Sequence, residues 1–114
     1  MHNFDTLAAQ VVIKLRKTYP QIKLILVLPC ETQTDRWNIT DKQTYDNIKN
    51  RADKIVYISK QYTKNCMFIR NRHLIDNSSK CVCYLTREQG GTAYTVNYAK
   101  NCGLDIINLA TTDM

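Results

Sequence analysis

The sequence lacks the features that take a protein out of the cytosol. No run approaches the roughly 18 consecutive apolar residues of a membrane-spanning helix. The first residues, Met-His-Asn-Phe-Asp, carry no basic stretch followed by an apolar one, as a secretory signal would. The five cysteines are an odd number at scattered positions, which disfavours a disulfide framework. We therefore expect a cytoplasmic protein.

Motifs for metal binding and nucleophilic catalysis are missing as well. Cys81 and Cys83 form a CxC on a predicted strand, but no further ligands follow at a zinc-like spacing. We therefore interpret the cysteines as small apolar residues. There is no G-x-S-x-G elbow, and His73 is most simply a helix-surface residue. The sequence predicts no metal site and no catalytic residue.

The composition is that of an ordinary folded protein with a basic surface. The 114 residues suffice for one domain, which we assign to residues 1–114, and 44% of them are apolar. Sixteen lysines and arginines against ten acidic residues give a net charge of +6. This charge favours an anionic partner such as a nucleotide, a nucleic acid or a phosphate-bearing metabolite. It is spread along the chain, unlike the charge of a nucleic-acid-binding tail.

The hydrophobic pattern predicts four helices that alternate with four strands. The first helix is expected to pack on the core through an apolar stripe that comprises Phe4, Leu7, Ala8, Val11, Val12 and Leu15. Asn3 or Asp5 can cap the start of this helix. Further helices are predicted over 43–53 and 63–79, and from Gly90-Gly91 to a left-handed cap at Gly103. The predicted strands cover 23–29, 55–59, 81–85 and 105–109.

This alternation predicts a Rossmann-like α/β fold, with a mostly parallel sheet of about four strands and helices on both faces. Ligands of such sheets bind at the carboxyl ends of the strands. The segments that follow Leu28, Ser59 and Leu85 are therefore the places to look for a site.

The segment Arg87-Glu88-Gln89-Gly90-Gly91-Thr92 lies directly between a strand and a helix. Glycines let the backbone approach a ligand closely, and free N–H groups at a helix start favour a phosphate. Thr92 adds a hydroxyl. An ordinary tight turn explains the same residues, which match neither a Walker A loop nor a GxGxxG fingerprint.

Two further groups of residues are candidates for ligand contacts. Arg70, Asn71 and Arg72 lie on a predicted helix, where at most one of the two arginines is expected to face a ligand. The other is expected to pair with Asp76 or to face solvent, while Asn77 and Ser78 can cap the helix end.

Near the first strand, Pro29 and Glu31 form a turn, and Trp37 can either stack on a base or cover the edge of the core. Tyr94 is a second residue that can stack on a base. A purely structural role remains the alternative for each group.

In order along nearly the whole chain, five segments resemble YspA-like proteins of the SLOG superfamily: Asp5–Ala9, Leu26–Pro29, Arg70–Arg72, Asp76–Ser79 and Gly90–Val96. The resemblance implies a Rossmann-like fold. The superfamily includes DNA-processing proteins of natural transformation, cytokinin-activating (lonely-guy) phosphoribohydrolases, and sensors of ADP-ribose-type signals in bacterial immunity.

The chain departs from the family pattern in two respects. Phosphoribohydrolases carry a glutamate in P-G-G-x-G-T-x-x-E, and alignment places Thr95 or Asn97 at that position. Neither supplies a carboxylate, and losing such a group removes about 10²–10⁴-fold of a rate. Family members also have two more strands and a helix before the segment at Asp5, so we expect a shortened relative or a fragment.

The resemblance implies that the chain binds a nucleotide-derived molecule, such as an ADP-ribose-type or cyclic nucleotide signal, without cleaving it. One version is a phage-type sponge that sequesters the signal in the cytoplasm of an infected bacterium. The alternatives are a DNA-binding module, a nucleotide N-glycosidase and a remnant without a ligand. Beyond the nucleotide-type ligand we expect no cofactor. Because a shortened sheet leaves an open apolar edge, we also expect a homo-oligomer, with that edge or the first helix at its interface.

Overall fold

The computed structural model describes residues 4–34 and 37–111, and its helices and strands alternate as predicted. The chain divides into two compact units, Met1–Thr63 (unit 1) and Lys64–Met114 (unit 2). The prediction of an α/β fold with parallel strands is confirmed, and the strands hydrogen-bond in two pairs. The assignment of residues 1–114 to a single domain stays a prediction.

Unit 1 contains α1 (Phe4–Leu15), β1 (Ile25–Cys30), α2 (Ile39–Arg51) and β2 (Lys54–Ser59). The two strands are parallel, and their register pairs Ile25 with Lys54 and Cys30 with Ser59. The last four residues of β1 are buried, as the continuous apolar run of this segment predicts.

The helix α1 packs on its core through a face that shares Val12 with the predicted stripe but is otherwise displaced from it. Ala9 forms the buried cluster together with Leu24 and Ile48, and Val12 and Ile13 pack against this cluster. Three residues of the predicted stripe are instead largely exposed: Leu7 (54%), Val11 (53%) and Leu15 (42%). Positions 11, 12 and 13 are all apolar. Helical periodicity therefore allows two neighbouring faces, and contact with Leu24 and Ile48 selects one of them.

The helix ends of unit 1 follow from local polar contacts. The N-cap residue Asn38 accepts a hydrogen bond from the N–H of Asp41 at 2.8 Å through its side-chain oxygen. This cap explains why α2 begins four residues earlier than predicted. Of the two predicted caps of α1, Asp5 lies in its first turn, and Asn3 lies outside the described residues.

Unit 2 contains α3 (Cys66–Asp76), β3 (Lys80–Cys83), α4 (Gly91–Asn101) and β4 (Asp105–Asn108). Its strands are parallel, in a register from Lys80–Asp105 to Cys83–Asn108. The helix α4 buries Ala93, Val96 and Ala99, which lie three residues apart on one face.

The residues that cap the ends of both helices of unit 2 are those that the sequence predicts, although α3 is three residues shorter at each end than predicted. Gly103 has a φ of 82° and its N–H donates to the carbonyl of Lys100 at 3.0 Å. The next N–H, that of Leu104, donates to Ala99 at 3.1 Å, which completes a Schellman motif. At the end of α3, Asn77 donates to the carbonyl of His73 and Ser78 to that of Leu74, at 2.8 and 2.6 Å.

Three of the five cysteines, Cys30, Cys66 and Cys83, are buried as free thiols, consistent with their interpretation as small apolar residues. Burial, together with neighbouring Cys83, raises the pKa of the partly buried Cys81. Among residues 4–34 and 37–111, no helix combines the length and the apolar content that crossing a bilayer needs.

Candidate functional site

The start of α4 is an open helix N-terminus in unit 2. Gly90 is its N-cap residue, with a φ of 110° that side-chain-bearing residues rarely adopt. Gly90 has no side chain to cap the first N–H groups of the helix. A Cβ built at Gly90 or Gly91 meets no atom within 4 Å, so the space beside this turn is empty.

A hollow of about 290 Å³ lies against this helix start. Eight residues of unit 2 line it: Tyr84, Leu85, Thr86, Arg87, Gln89, Gly90, Gly91 and Thr92. Its volume lies just below the range of about 300–1,000 Å³ that is typical of ligand pockets. Glu88 lines a second depression together with Arg87, Gln89 and Gly90. The lining therefore includes the start of a helix, one arginine and three residues with hydroxyl groups, a set of residue types that suits an anion.

The predicted residue Asn71 connects α3 to the first turn of α4. Its Nδ2 donates to Thr95 Oγ1 at 3.1 Å, and Thr95 Oγ1 donates to the carbonyl of Gly91 at 3.0 Å. Arg70 Nε in turn donates to Asn71 Oδ1 at 2.7 Å. Asn71 and Thr95 thus orient the helix that carries Gly91. The hydroxyl of Thr95 already has these two hydrogen-bond partners, and Thr95 is one of the two residues that alignment places at the glutamate position of the phosphoribohydrolases.

Arg72 and Tyr94, both predicted as ligand contacts, contact each other. The guanidinium of Arg72 donates to the hydroxyl of Tyr94, and this hydrogen bond is the main reason why the pKa of Arg72 is raised. The ring of Tyr94 also meets that of Phe68 edge-on, with 5.2 Å between centroids. Neither Arg70 nor Arg72 is among the residues that line the hollow, whereas Arg87 is.

The other predicted site residues lie elsewhere. Asn77 caps the end of α3, as described above. In unit 1, Pro29 is fully buried, and the backbone N–H of the exposed Glu31 donates to Ser59 at 3.2 Å. The ring of Trp37 meets that of Tyr45 edge-on at 5.2 Å, which supports its structural interpretation.

Two residues of unit 2 that matter for the hollow were not predicted as site residues from the sequence: Arg87, which lines it, and Asn108, which does not. Arg87 belongs to the segment that the sequence indicates, and its place directly after a strand is the signal that identifies it. Asn108, at the end of β4, bonds to the backbone of Leu85 through its side chain. A single asparagine at a strand end gives no sequence signal of such a role.

No metal-binding group was found in the part of the chain that the structure describes: no three or more histidine, cysteine or acidic side chains cluster there. The residues that the hollow offers to a ligand are those of the helix start, three that carry hydroxyl groups and Arg87.

Comparison with known proteins gives a family match. A sequence model described as the YspA SLOG family matches residues 2–108 of this chain. The segments on which the resemblance was based all lie within this range.

Individual relatives are similar to most of this chain. An uncharacterised SPbeta prophage-derived protein, YoqJ, of Bacillus subtilis (strain 168) is 29% identical over 108 residues, covering 84% of this chain and 63% of that protein. A UPF0398 protein of Bacillus pumilus is 29% identical over 96 residues, covering 82% and 52%. UPF0398 protein BH1768 of Halalkalibacterium halodurans is 31% identical over 96 residues, covering 82% and 51%. The chain thus spans between half and two thirds of the length of these relatives.

Proposed function

The chain belongs to the YspA SLOG family, and from this premise we propose that it binds a nucleotide-derived small molecule without cleaving it. An ADP-ribose-type or cyclic nucleotide signal is the ligand class that we propose. The observation that carries the proposal is the hollow at the start of α4, where empty space adjoins Gly90 and Gly91 and where Arg87 lines the wall.

The phosphate of the ligand is proposed to lie at Gly90, Gly91 and Thr92. The first N–H groups of an α-helix have no partner within the helix, and the helix dipole favours a negative charge there. Arg87 is the counter-charge that lines the hollow. Arg70 and Arg72, the counter-charges expected from the sequence, lie on α3.

The proposed absence of cleavage rests on the residues at the two possible glutamate positions. Thr95 bonds to Asn71 and to the carbonyl of Gly91, and the exposed Asn97 carries an amide. Neither side chain holds or accepts a proton as a carboxylate does. If the chain is instead an enzyme, Glu88, which lines the second depression, is the residue that would supply the catalytic carboxylate.

A binding domain that does not cleave its ligand is able to act by sequestering it. One relative, YoqJ, is described as prophage-derived, which supports a role of this kind on the phage side. We therefore propose a sponge that lowers the concentration of a defence signal in the cytoplasm of an infected bacterium.

The direct test is mass spectrometry of small molecules released when the purified protein is denatured by heat. A thermal-shift panel of ADP-ribose, cyclic nucleotides and AMP is the complementary measurement. We expect one of these classes to raise the melting temperature, because a ligand that binds only the folded state stabilises it. The ligand should be recovered intact after long incubation. Release of a free base and a ribose phosphate, lost in Glu88→Gln, would instead assign an enzyme.

Binding of single-stranded DNA is the second candidate, favoured by the net charge of +6. The two candidates differ in their dependence on salt. Binding that neutralises several phosphates weakens steeply with rising salt, whereas one or two phosphates in a hollow produce a shallow dependence. A steep slope for an oligonucleotide, with no thermal shift from any mononucleotide or dinucleotide, would favour the DNA-binding function.

A further inference from the structure

The side chain of Asn108 forms hydrogen bonds to both backbone groups of Leu85. Asn108 Oδ1 accepts the N–H of Leu85 at 3.0 Å, and Asn108 Nδ2 donates to the carbonyl of Leu85 at 2.9 Å. Oδ1 also accepts the N–H of Ala110 at 3.1 Å. We call this set of three bonds the Asn108 anchor. Its two bonds to Leu85 reproduce the pair of hydrogen bonds that two directly opposed residues of antiparallel strands form through their backbones.

The anchor lies where the pairing of β3 with β4 stops. The last register pair is Cys83 with Asn108, and the N–H of Leu109 donates to the carbonyl of Cys83 at 2.9 Å. Beyond this point the backbone pairing of β3 with β4 ends, and the backbone of Leu85 bonds to the side chain of Asn108 instead of to a strand. The anchor thus fixes the first part of the segment that leads from β3 to α4.

This segment provides most of the wall of the hollow. The hollow is lined by Leu85, Thr86 and Arg87, which precede Glu88 in the sequence, and by Gln89 and the two glycines, which follow it. The anchor holds the residue two positions before Arg87. A shift of Leu85 would therefore be passed along the backbone to the guanidinium and to the open helix start.

We propose that Asn108 is a positioning residue, which holds the β3–α4 segment in the conformation that shapes the hollow for an anion. The inference rests on the proposed function in so far as the hollow binds a phosphate group. The anchor itself is independent of any ligand. Only a side-chain amide both donates and accepts in this way at this length, because a carboxylate has no proton to donate and a hydroxyl is shorter.

Two substitutions separate the donor from the whole anchor. Asn108→Asp keeps the size of the side chain but removes the donor and places a carboxylate against the carbonyl of Leu85. Asn108→Ala removes the anchor without adding charge, and it serves where the aspartate variant does not fold. Asn101→Asp, at the exposed last residue of α4, is the matched control because it adds the same negative charge to the same unit.

The first measurement is amide hydrogen exchange of Leu85 and of residues 86–91 in the protein without ligand. Asn108→Ala should speed the exchange of Leu85 by about tenfold or more, as expected when a well-formed hydrogen bond is lost. Asn108→Asp keeps an oxygen that accepts the N–H of Leu85, so it should speed this exchange less. Asn101→Asp should leave it unchanged. The second measurement is calorimetry with ADP-ribose, well below the melting temperature. We expect the affinity to fall by about tenfold in both Asn108 variants and to stay within about twofold in the control.

The outcomes are distinct. Unchanged exchange of Leu85 in both Asn108 variants would overturn the anchor. Faster exchange with full affinity would show that Asn108 has only a structural role and would overturn positioning. A wild-type protein that binds no nucleotide-type probe would overturn the proposed function, and positioning with it, while hydrogen exchange would still decide whether the anchor exists.

Discussion

The guanidinium of Arg72 lies over the ring of Tyr94, with its Cζ 5.6 Å from the ring centroid, and donates a hydrogen bond to the hydroxyl of that ring. It also lies 5.2 Å from the centroid of Tyr98, whose hydroxyl donates to Asp76 at 2.7 Å. Arg72 is therefore surrounded by partners within unit 2. Arg87 instead lines the hollow, so the two arginines are expected to differ in function although they carry the same charge.

Substitution of each arginine by glutamine tests this difference. Arg87→Gln should lower the affinity for ADP-ribose by about tenfold, because a hydrogen bond to a charged group contributes about 1.5–3 kcal/mol. Arg72→Gln should lower the melting temperature through the loss of its contacts with Tyr94 and Tyr98, and leave the affinity within about twofold. Calorimetry and thermal unfolding measure the two effects. The opposite pattern would assign the counter-charge to Arg72, one of the two arginines that the sequence indicates for this role.

Gly91 offers a test of close backbone approach. Its φ is not positive, and a Cβ there meets no atom within 4 Å, so the fold tolerates a side chain. Gly91→Val should place methyl groups in the space beside the first N–H groups and abolish binding, with only a small change in melting temperature. Gly91→Ala should weaken binding less. Binding is measured by thermal shift, and full affinity of the valine variant would contradict a phosphate at this turn.

Gly103 provides the control for glycine substitution in general. Its φ of 82° belongs to the left-handed region, where an L side chain costs about 1 kcal/mol. Gly103→Ala should therefore lower stability and leave ligand affinity unchanged. Together the two glycines separate an effect on the hollow from an effect on folding.

Much of the fold is predictable from the sequence because the hydrophobic pattern is local. All four strands lie within two residues of their predicted ends, since each is an apolar run between turns. The choice of face on α1 was not predictable, because apolar residues occupy two adjacent faces of that helix. Only the contact of Ala9 with Leu24 and Ile48, which are distant in sequence, decides between them.

The candidate site was predictable in part. The strand–glycine–helix order indicates Gly90 to Thr92, and these residues line the hollow. The partners of Arg72 were not predictable, because Tyr94 approaches it from another helix. Asn108 was not predictable either, since its role depends on where the pairing of two strands stops.

The carboxylate of Asp53 links three segments of unit 1, and its titration predicts a pH dependence of stability. It accepts the N–H of Leu24 at 2.7 Å and a hydrogen bond from Arg16 at 2.8 Å. These contacts lower the pKa of Asp53 below 3.8, the bond from Leu24 most of all. A carboxyl whose pKa is lower in the folded state stabilises the fold above its unfolded pKa. That stabilisation is lost as the pH falls through the folded pKa.

Asp53→Asn should therefore lower the melting temperature at pH 7 by several degrees, through the loss of charge-assisted bonds. The difference in melting temperature between the variant and the wild type should shrink as the pH falls below about 3.8, because protonation then makes the wild-type carboxyl uncharged like the asparagine. Thermal unfolding between pH 2 and pH 7 measures both. Asp46→Asn, at an exposed position on α2, is the control. A difference that stays constant across this range would contradict the proposed role of the charge.

The exposed apolar face of α1 supports the proposal that the protein forms a homodimer. Leu7, Val11 and Leu15 are spaced four residues apart, so they lie along one side of the helix, and all are more than 40% exposed. A contiguous apolar strip in water favours association. We propose that a second copy covers it, because two such strips related by a two-fold axis pack leucine and valine side chains against each other.

The double substitution Leu7→Glu with Val11→Glu tests this interface. Four like charges brought together across the two-fold axis should prevent dimerisation, whereas the core residues Ala9, Val12 and Ile13 are untouched and the fold should persist. Val82→Glu is the matched control, because Val82 is 51% exposed but lies on β3. Light scattering at micromolar concentration should give a dimer for the wild type and for the control, and a monomer for the double variant. A dimer that is lost only in Val82→Glu would place the interface on the strands, and a monomeric wild type would overturn the dimer altogether. If the double variant is monomeric and still binds ADP-ribose with full affinity, the hollow at the start of α4 is complete within a single chain.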